Sequence, residues 1–214
     1  MLAYEQQAWA KGFARVAGVD EAGRGPWAGP VYAAAVILPA DDAERMLQGP
    51  LLGLTDSKGL SPSRREAFFL RLTQTPSIQW AVASVSAPEI DRLNILRATF
   101  VAMRQAVLSL PAPPDWVLVD GPRGPDLPCP SRCIVKGDSL SLSIAAASVV
   151  AKVLRDRALR GMDAAWPGYG FAQHKGYGTA GHQEALDRLG PCPEHRKSFR
   201  PVALRLKRPD EPEV

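Results

Sequence analysis

Three short apolar runs in this chain lead directly into carboxylates, and that pattern limits the folds open to it. FARVAGVD (13–20) closes on Asp20 and Glu21, WVLVD (116–120) closes on Asp120, and RCIVK (132–136) is followed by Asp138. Brief apolar, β-branched runs that stop at Gly or Pro read as buried strands. PVYAAAVILP (30–39), held between prolines, and IQWAVASV (78–85) bring the expected strands to five. A helix is expected from Ser61, with Ser61 as N-cap and Pro62 as first helical residue. A long one is expected over 87–110, behind the Ser86/Glu89 capping pattern, and another over 142–162, where Ala145, Ala146 and Ala147 permit close packing on a sheet. Strands first, then helices with one late strand between them, point to an α/β fold: a mixed five-stranded sheet flanked by helices. Residues 1–190 are expected to form one domain. Residues 191–214 read as a small basic helical or loop extension, partly flexible and loosely attached beyond about Val202.

A chain of 214 residues, 46% hydrophobic and 22% charged, can bury a sizeable core without disulfides or structural metals. Cys129, Cys133 and Cys192 form no C-x-x-C pair and read as free thiols. The N-terminal MLAYEQQAWAKGFARV carries Glu5 and no long apolar stretch, so it is not a secretory signal. The longest apolar runs, such as Val31 to Leu38, fall far short of the ~20 residues a membrane helix needs. A soluble, cytoplasmic protein with no membrane partner is expected. A net charge of +4 is a mild bias toward polyanions, concentrated in the last forty residues.

Carboxylates gathered at the ends of neighbouring strands repel one another and need cations, and hard oxygen ligands suit Mg²⁺ or Mn²⁺ better than zinc. Successive strand residues face opposite ways. One of Asp20 and Glu21 is therefore expected where the strand breaks, at the Ala-Gly-Arg-Gly-Pro that follows. Gly23 and Gly25 let the backbone approach a ligand closely, and Arg24 can pair with a phosphate or with a nearby carboxylate. GYGFAQHKGYGT (168–179) supports two readings: rings stacking on a nucleic acid with Lys175 on a phosphate, or a Gly-rich loop with Tyr169 and Phe171 packed inward. His174, His182 and His195 lack a metal-ligand pattern, and no Walker A, dinucleotide fingerprint or nucleophile elbow is present.

From about Val16 to Val202 the sequence resembles bacterial ribonuclease HII. The resemblance rests on VAGVDEAGRGPWAGPVYAAAVIL (16–38), DSKGLS (56–61), NILRATFVAMRQAV (94–107), VLVDG (117–121), KGDSLSLSIAAASVVAKVLRD (136–156), GYGFAQHKGYGT (168–179) and HRKSF (195–199), in order. It implies an RNase H-like fold and Mg²⁺- or Mn²⁺-dependent cleavage of RNA in RNA–DNA hybrids. It also implies incision 5′ of a single ribonucleotide in duplex DNA, leaving 3′-OH and 5′-phosphate ends by a two-metal hydrolysis. The family's four acidic residues fall on Asp20, Glu21, Asp120 and Asp138 as catalytic metal ligands. Its 2′-OH-reading loop falls on Gly23, Arg24 and Gly25, its junction-sensing tyrosine on Tyr177, and a phosphate-contacting lysine on Lys58. Asp138 has a second reading as a helix cap. Departures are Gly59, Trp27 and Pro122, where a basic residue, leucine and asparagine are usual. A monomer acting on hybrids and ribonucleotide-containing duplexes is expected; a non-catalytic nucleic-acid-binding module and a junction-resolvase-type nuclease are the rival readings.

Overall fold

The computed structural model describes residues 1–206. In chain order the elements are α1 (Ala3–Trp9), β1 (Val16–Ala22), β2 (Val31–Ile37), α2 (Ala43–Gln48), α3 (Pro62–Gln74), β3 (Gln79–Val85), α4 (Ala87–Leu93), α5 (Ile95–Leu108), β4 (Trp116–Asp120), β5 (Ser131–Ile134), α6 (Leu142–Ala165), α7 (Phe171–His174), α8 (Ala180–Leu189) and α9 (Arg200–Leu206). The five strands form one sheet in the order β3-β2-β1-β4-β5. β1 runs antiparallel to β2 and parallel to β4, and β4 runs parallel to β5. The mixed, helix-flanked sheet expected from the sequence is the one observed.

Strand alternation sorts the core into two layers. Ala34, Val36 and Leu38 face α3 and α6, where Phe68, Phe69, Leu72 and the alanine run 145–147 pack. Ala33, Ala35 and Ile37, with Val19 and Val117, face α4 and α5 through Ile90, Ala98, Ala102 and Met103. α6 lies so close to β1 that a Cβ built on Gly18 would stand 2.1 Å from the Ser143 carbonyl carbon. The N-terminus of α6 is anchored by α1, an element the sequence reading left unassigned. Glu5, fully buried, accepts hydrogen bonds from Ser141 Oγ at 2.6 Å, Ser143 N–H at 2.9 Å and Ser143 Oγ at 2.7 Å.

The single helix expected over 87–110 is two. Asn94 adopts φ 69° and ψ 160°, ending α4, and its side chain then accepts from Arg97 N–H to cap α5. That positive-φ, extended-ψ region is otherwise nearly confined to glycine, and the N-cap hydrogen bond of the Asn94 side chain helps to hold it, so one residue ends one helix and starts the next. The capping box on α4 is present, with the Glu89 carboxylate accepting from Ser86 N–H and Oγ–H. Ser61 caps α3 through Arg64 N–H, as its sequence position suggested. At the C-terminal end, α9 brackets the expected loose boundary: Val202 is buried, and Arg205 pairs with Asp187 of α8 at 2.5 Å. The remainder of the expected flexible tail, 207–214, lies outside the described residues.

Gly18→Ala drives a methyl group into α6 backbone, which cannot move away as a side chain would. Its expected cost is about 3 kcal/mol. Gly161→Ala, in α6 with nothing within 4 Å of the added methyl, is expected to gain up to about 1 kcal/mol. Urea unfolding of the two variants checks both signs.

Candidate active site

Asp20 and Glu21 stand near the C-terminal end of β1, and Asp120 ends the adjacent, parallel β4. Carboxylate oxygens of Asp20, Glu21 and Asp120 all lie within 4.8 Å of one another. The strand does not break between the first two, contrary to the sequence expectation. Its ladder with β2 continues through Asp20↔Ala34, Glu21↔Ala33 and Ala22↔Tyr32, and Gly23, at φ 99°, follows the strand. Pairing with β4 stops earlier, at Val19↔Val119. Beyond that point β1 has no neighbour on one side, and the longer glutamate side chain reaches the space that opens there.

Each carboxylate is held differently. Asp20 is buried and accepts from the Glu21 N–H at 2.7 Å. Burial first, then the charges of Glu21 and Asp120, push its pKa well above the ordinary aspartate range. Glu21 is also raised by burial, partly offset by Arg24, whose Nη1 lies 3.2 Å from Glu21 Oε1. Of the two partners open to Arg24, the structure thus pairs it with a carboxylate. Asp120 Oδ1 accepts from Gly137 N–H at 2.7 Å, fixing the short 3-10 turn Gly137–Ser139 that carries Asp138. Ser141 supplies the cap of α6, so Asp138 is not the helix cap. Asp138 lies on the wall of the cleft, its pKa raised by burial and by the charges of Asp120 and Asp56.

The cleft has a volume of about 250 Å³, and all nine candidate residues line it: Asp20, Glu21, Gly23, Arg24, Gly25, Lys58, Asp120, Asp138 and Tyr177. Asp56 accepts from the Lys58 N–H and shapes that turn. Tyr177 is 44% exposed, with Cε1 3.7 Å from where a Gly25 Cβ would stand. Ser57, Ser148, Lys152 and Arg155 also line the cleft and were missed. Residues 148, 152 and 155 recur at i, i+4 and i+7, so one face of α6 was the available signal.

In the Gly168–Thr179 segment the inward-packed reading holds for Tyr169 and Phe171, both buried. Behind it sits a relay of neutral histidines. Tyr177 O can only accept, so His182 carries its proton on Nδ1, 2.9 Å away. His182 Nε2 then accepts from His195 Nε2 at 3.0 Å, and His195 Nδ1 accepts from Cys192 N–H at 3.0 Å. Burial first, then nearby charge (His174 and Arg205 on His182, His182 and His174 on His195), lowers both imidazoles to about 4 against backbone hydrogen bonds that raise them. The three cysteines are unpaired, as expected. No helix among the described residues is long and apolar enough to cross a membrane.

A sheet whose adjacent strand ends gather carboxylates in a cleft beside a Gly-Arg-Gly turn defines a ribonuclease H-type endonuclease, and the comparisons agree. The family model for ribonuclease HII matches residues 17–202. A ribonuclease HII from Roseiflexus castenholzii is 54% identical over 200 residues, covering 92% of this chain and 87% of that one. One from Rhodospirillum rubrum is 54% identical over 194 residues, 91% of this chain and 88% of its own. The crystal structure of ribonuclease H2 from Pyrococcus horikoshii superposes with a TM-score of 0.74 at 26% identity, covering 89% of this chain and 96% of that one. The chain belongs to the ribonuclease HII family.

His182 and His195 have folded-state pKa values below their unfolded ones. The unfolded chain therefore binds more protons between pH 6.5 and about 4, and stability attributable to the pair falls as pH drops through that window. The expected loss is on the order of 3 kcal/mol for each imidazole by the low end. Imidazole NMR titration checks it: both rings should keep the assigned neutral tautomers at pH 5.5.

Proposed function

We propose that this endonuclease cleaves RNA in RNA–DNA hybrids and incises 5′ of a single ribonucleotide in duplex DNA. Water attacks the phosphorus, the bond to the 3′ oxygen breaks, and 3′-OH and 5′-phosphate ends result. The observation that carries this reading is the placement of three carboxylates beside the Gly23–Gly25 turn and Tyr177 in one cleft. Asp20, Glu21 and Asp120 would hold Mg²⁺ or Mn²⁺, with Asp138 joining from the wall. The donor set fits: it is all hard oxygen, and the pKa of Asp20, raised by burial first and then by repulsion from Glu21 and Asp120, marks a charge that a dication would stabilise. When bound, paired divalent cations supply an activated water and charge stabilisation at the departing oxygen.

The chain's own groups supply orientation. Gly137 N–H holds one oxygen of Asp120 and Glu21 N–H holds one of Asp20, which limits how each carboxylate can turn. Arg24 and the flanking glycines would meet the ribose 2′-OH, the group that separates RNA from DNA. Lys58, exposed at the rim, would take a phosphate, and Tyr177 would stack on the deoxyribose 3′ of the ribonucleotide. We further propose a cytoplasmic monomer, with residues 1–190 as catalytic domain and 191–214 as its basic extension.

Asp20→Asn is expected to reduce cleavage of a labelled duplex carrying one ribonucleotide to background, while duplex binding is kept. Full activity in Mg²⁺ would remove Asp20 from the metal site. Tyr177→Ala should lower cleavage of the same duplex roughly tenfold or more, with a smaller effect on long hybrids. Equal losses on both substrates would contradict the junction-sensing role. EDTA should stop both reactions, and a branched DNA without ribonucleotides should stay intact.

A further inference from the structure

Two arginines are fully buried, Arg155 in the wall of the cleft and Arg196 behind it, and neither has a carboxylate partner among the described residues. Arg196 spends its guanidinium on four backbone carbonyls of one turn. Nε donates to Gly29 O at 2.9 Å, Nη1 to Arg24 O at 3.0 Å and Pro26 O at 2.8 Å, and Nη2 to Gly23 O at 2.6 Å. Arg155, from α6, donates to Pro30 O at 3.0 Å and Ala28 O at 3.2 Å, and its third nitrogen reaches Lys175 O at 3.0 Å. A guanidinium out of water is costly unless its donors are satisfied. Here carbonyl dipoles alone satisfy them.

The peptide bonds are trans, so each N–H points away from the preceding carbonyl. With Gly23 O and Arg24 O turned inward to Arg196, the N–H groups of Arg24 and Gly25 are turned outward. Neither has an intramolecular partner among the described residues. Arg155 ties this turn to the segment bearing Tyr177, and two further contacts run parallel to it. Trp27 N–H donates to Gly176 O at 2.8 Å, and the Trp27 ring lies 2.0 Å from where a Gly178 Cβ would stand. Gly23 is needed for the same reason: its Cβ would fall 2.0 Å from Arg155 Nε.

We propose that Arg155 and Arg196 are positioning residues for substrate discrimination. From the wall of the cleft and from behind it they hold the Gly23–Gly25 donors and Tyr177 in one fixed relation before any duplex arrives. The proposal rests on the reading of those residues as the ribose- and junction-facing groups. It adds that discrimination depends on a guanidinium fork that no lysine can reproduce, since an ammonium offers three donors at one point and no planar spread.

The test measures kcat/KM on a duplex with one ribonucleotide and on a long RNA–DNA hybrid, for wild type, Arg155→Lys, Arg196→Lys and the core variant Met103→Ala. The lysine variants should lose at least tenfold more on the single-ribonucleotide duplex than on the hybrid. Met103→Ala, matched by melting temperature, should lower both in proportion. A lysine variant with the wild-type ratio overturns the proposal. If a lysine variant does not fold, Arg155→Gln and Arg196→Gln, which remove the buried charge, carry the same comparison. Independently of any variant, hydrogen exchange of wild type at the internally bonded amides of Trp27, Gly29, Gly176 and Tyr177 should be as slow without duplex as with an uncleavable one, whereas the outward N–H groups of Arg24 and Gly25 should gain protection only on binding. Internally bonded amides that become protected only on binding would contradict a preset turn. A wild type with no preference between substrates, or unaffected by Tyr177→Ala, would instead sink the underlying reading of the cleft.

Discussion

Holding Asp20 out of water within reach of two other carboxylates is the unfavourable interaction around which this molecule is organised. Desolvation disfavours its charge, and Glu21 and Asp120 disfavour it further. The fold does not neutralise the cluster from within: Arg24 offsets only Glu21, and from a half-exposed position. The site is consequently primed for an external dication. The same logic removes the apparent conflict between an acidic centre, a net charge of +4 and a polyanionic substrate.

The scaffold maintains that arrangement from both sides. Gly18 lets α6 lie directly on β1, and Glu5 fixes the start of α6 through Ser141 and Ser143. The helix then delivers Ser148, Lys152 and Arg155 to the cleft on one face. On the far side the 3-10 turn held by Asp120 presents Asp138. The groups proposed to face substrate thus sit on short turns tied to rigid elements by hydrogen bonds to their backbone, which is how precise geometry is kept on loops.

Much of this was legible in the sequence, because strands and long amphipathic helices carry their own periodicity. The five strands, α3 and α6 follow directly from apolar runs, Ser61-Pro62 and the alanine-rich stretch. Asp20, Glu21 and Asp120 meet because the carboxylates at neighbouring strand ends converge, whereas Lys58 and Tyr177 reach the same cleft from loops that only the family resemblance singled out. The break at Asn94 was hidden by apolar spacing that passes through it in helical phase. Glu21 was misjudged because alternation describes regular strands, and β1 loses its β4 neighbour before that residue. Arg196, and the burial of Arg155, were invisible for another reason. An arginine's burial depends on carbonyls brought to it from elsewhere in the chain, and nothing local distinguishes it from a solvated one.

Anomalous diffraction from a crystal soaked in Mn²⁺ at neutral pH is the most direct measurement. The account requires a peak about 2 Å from oxygens of Asp20, Glu21 and Asp120. Those side chains splayed apart, with no anomalous density among them, would contradict it.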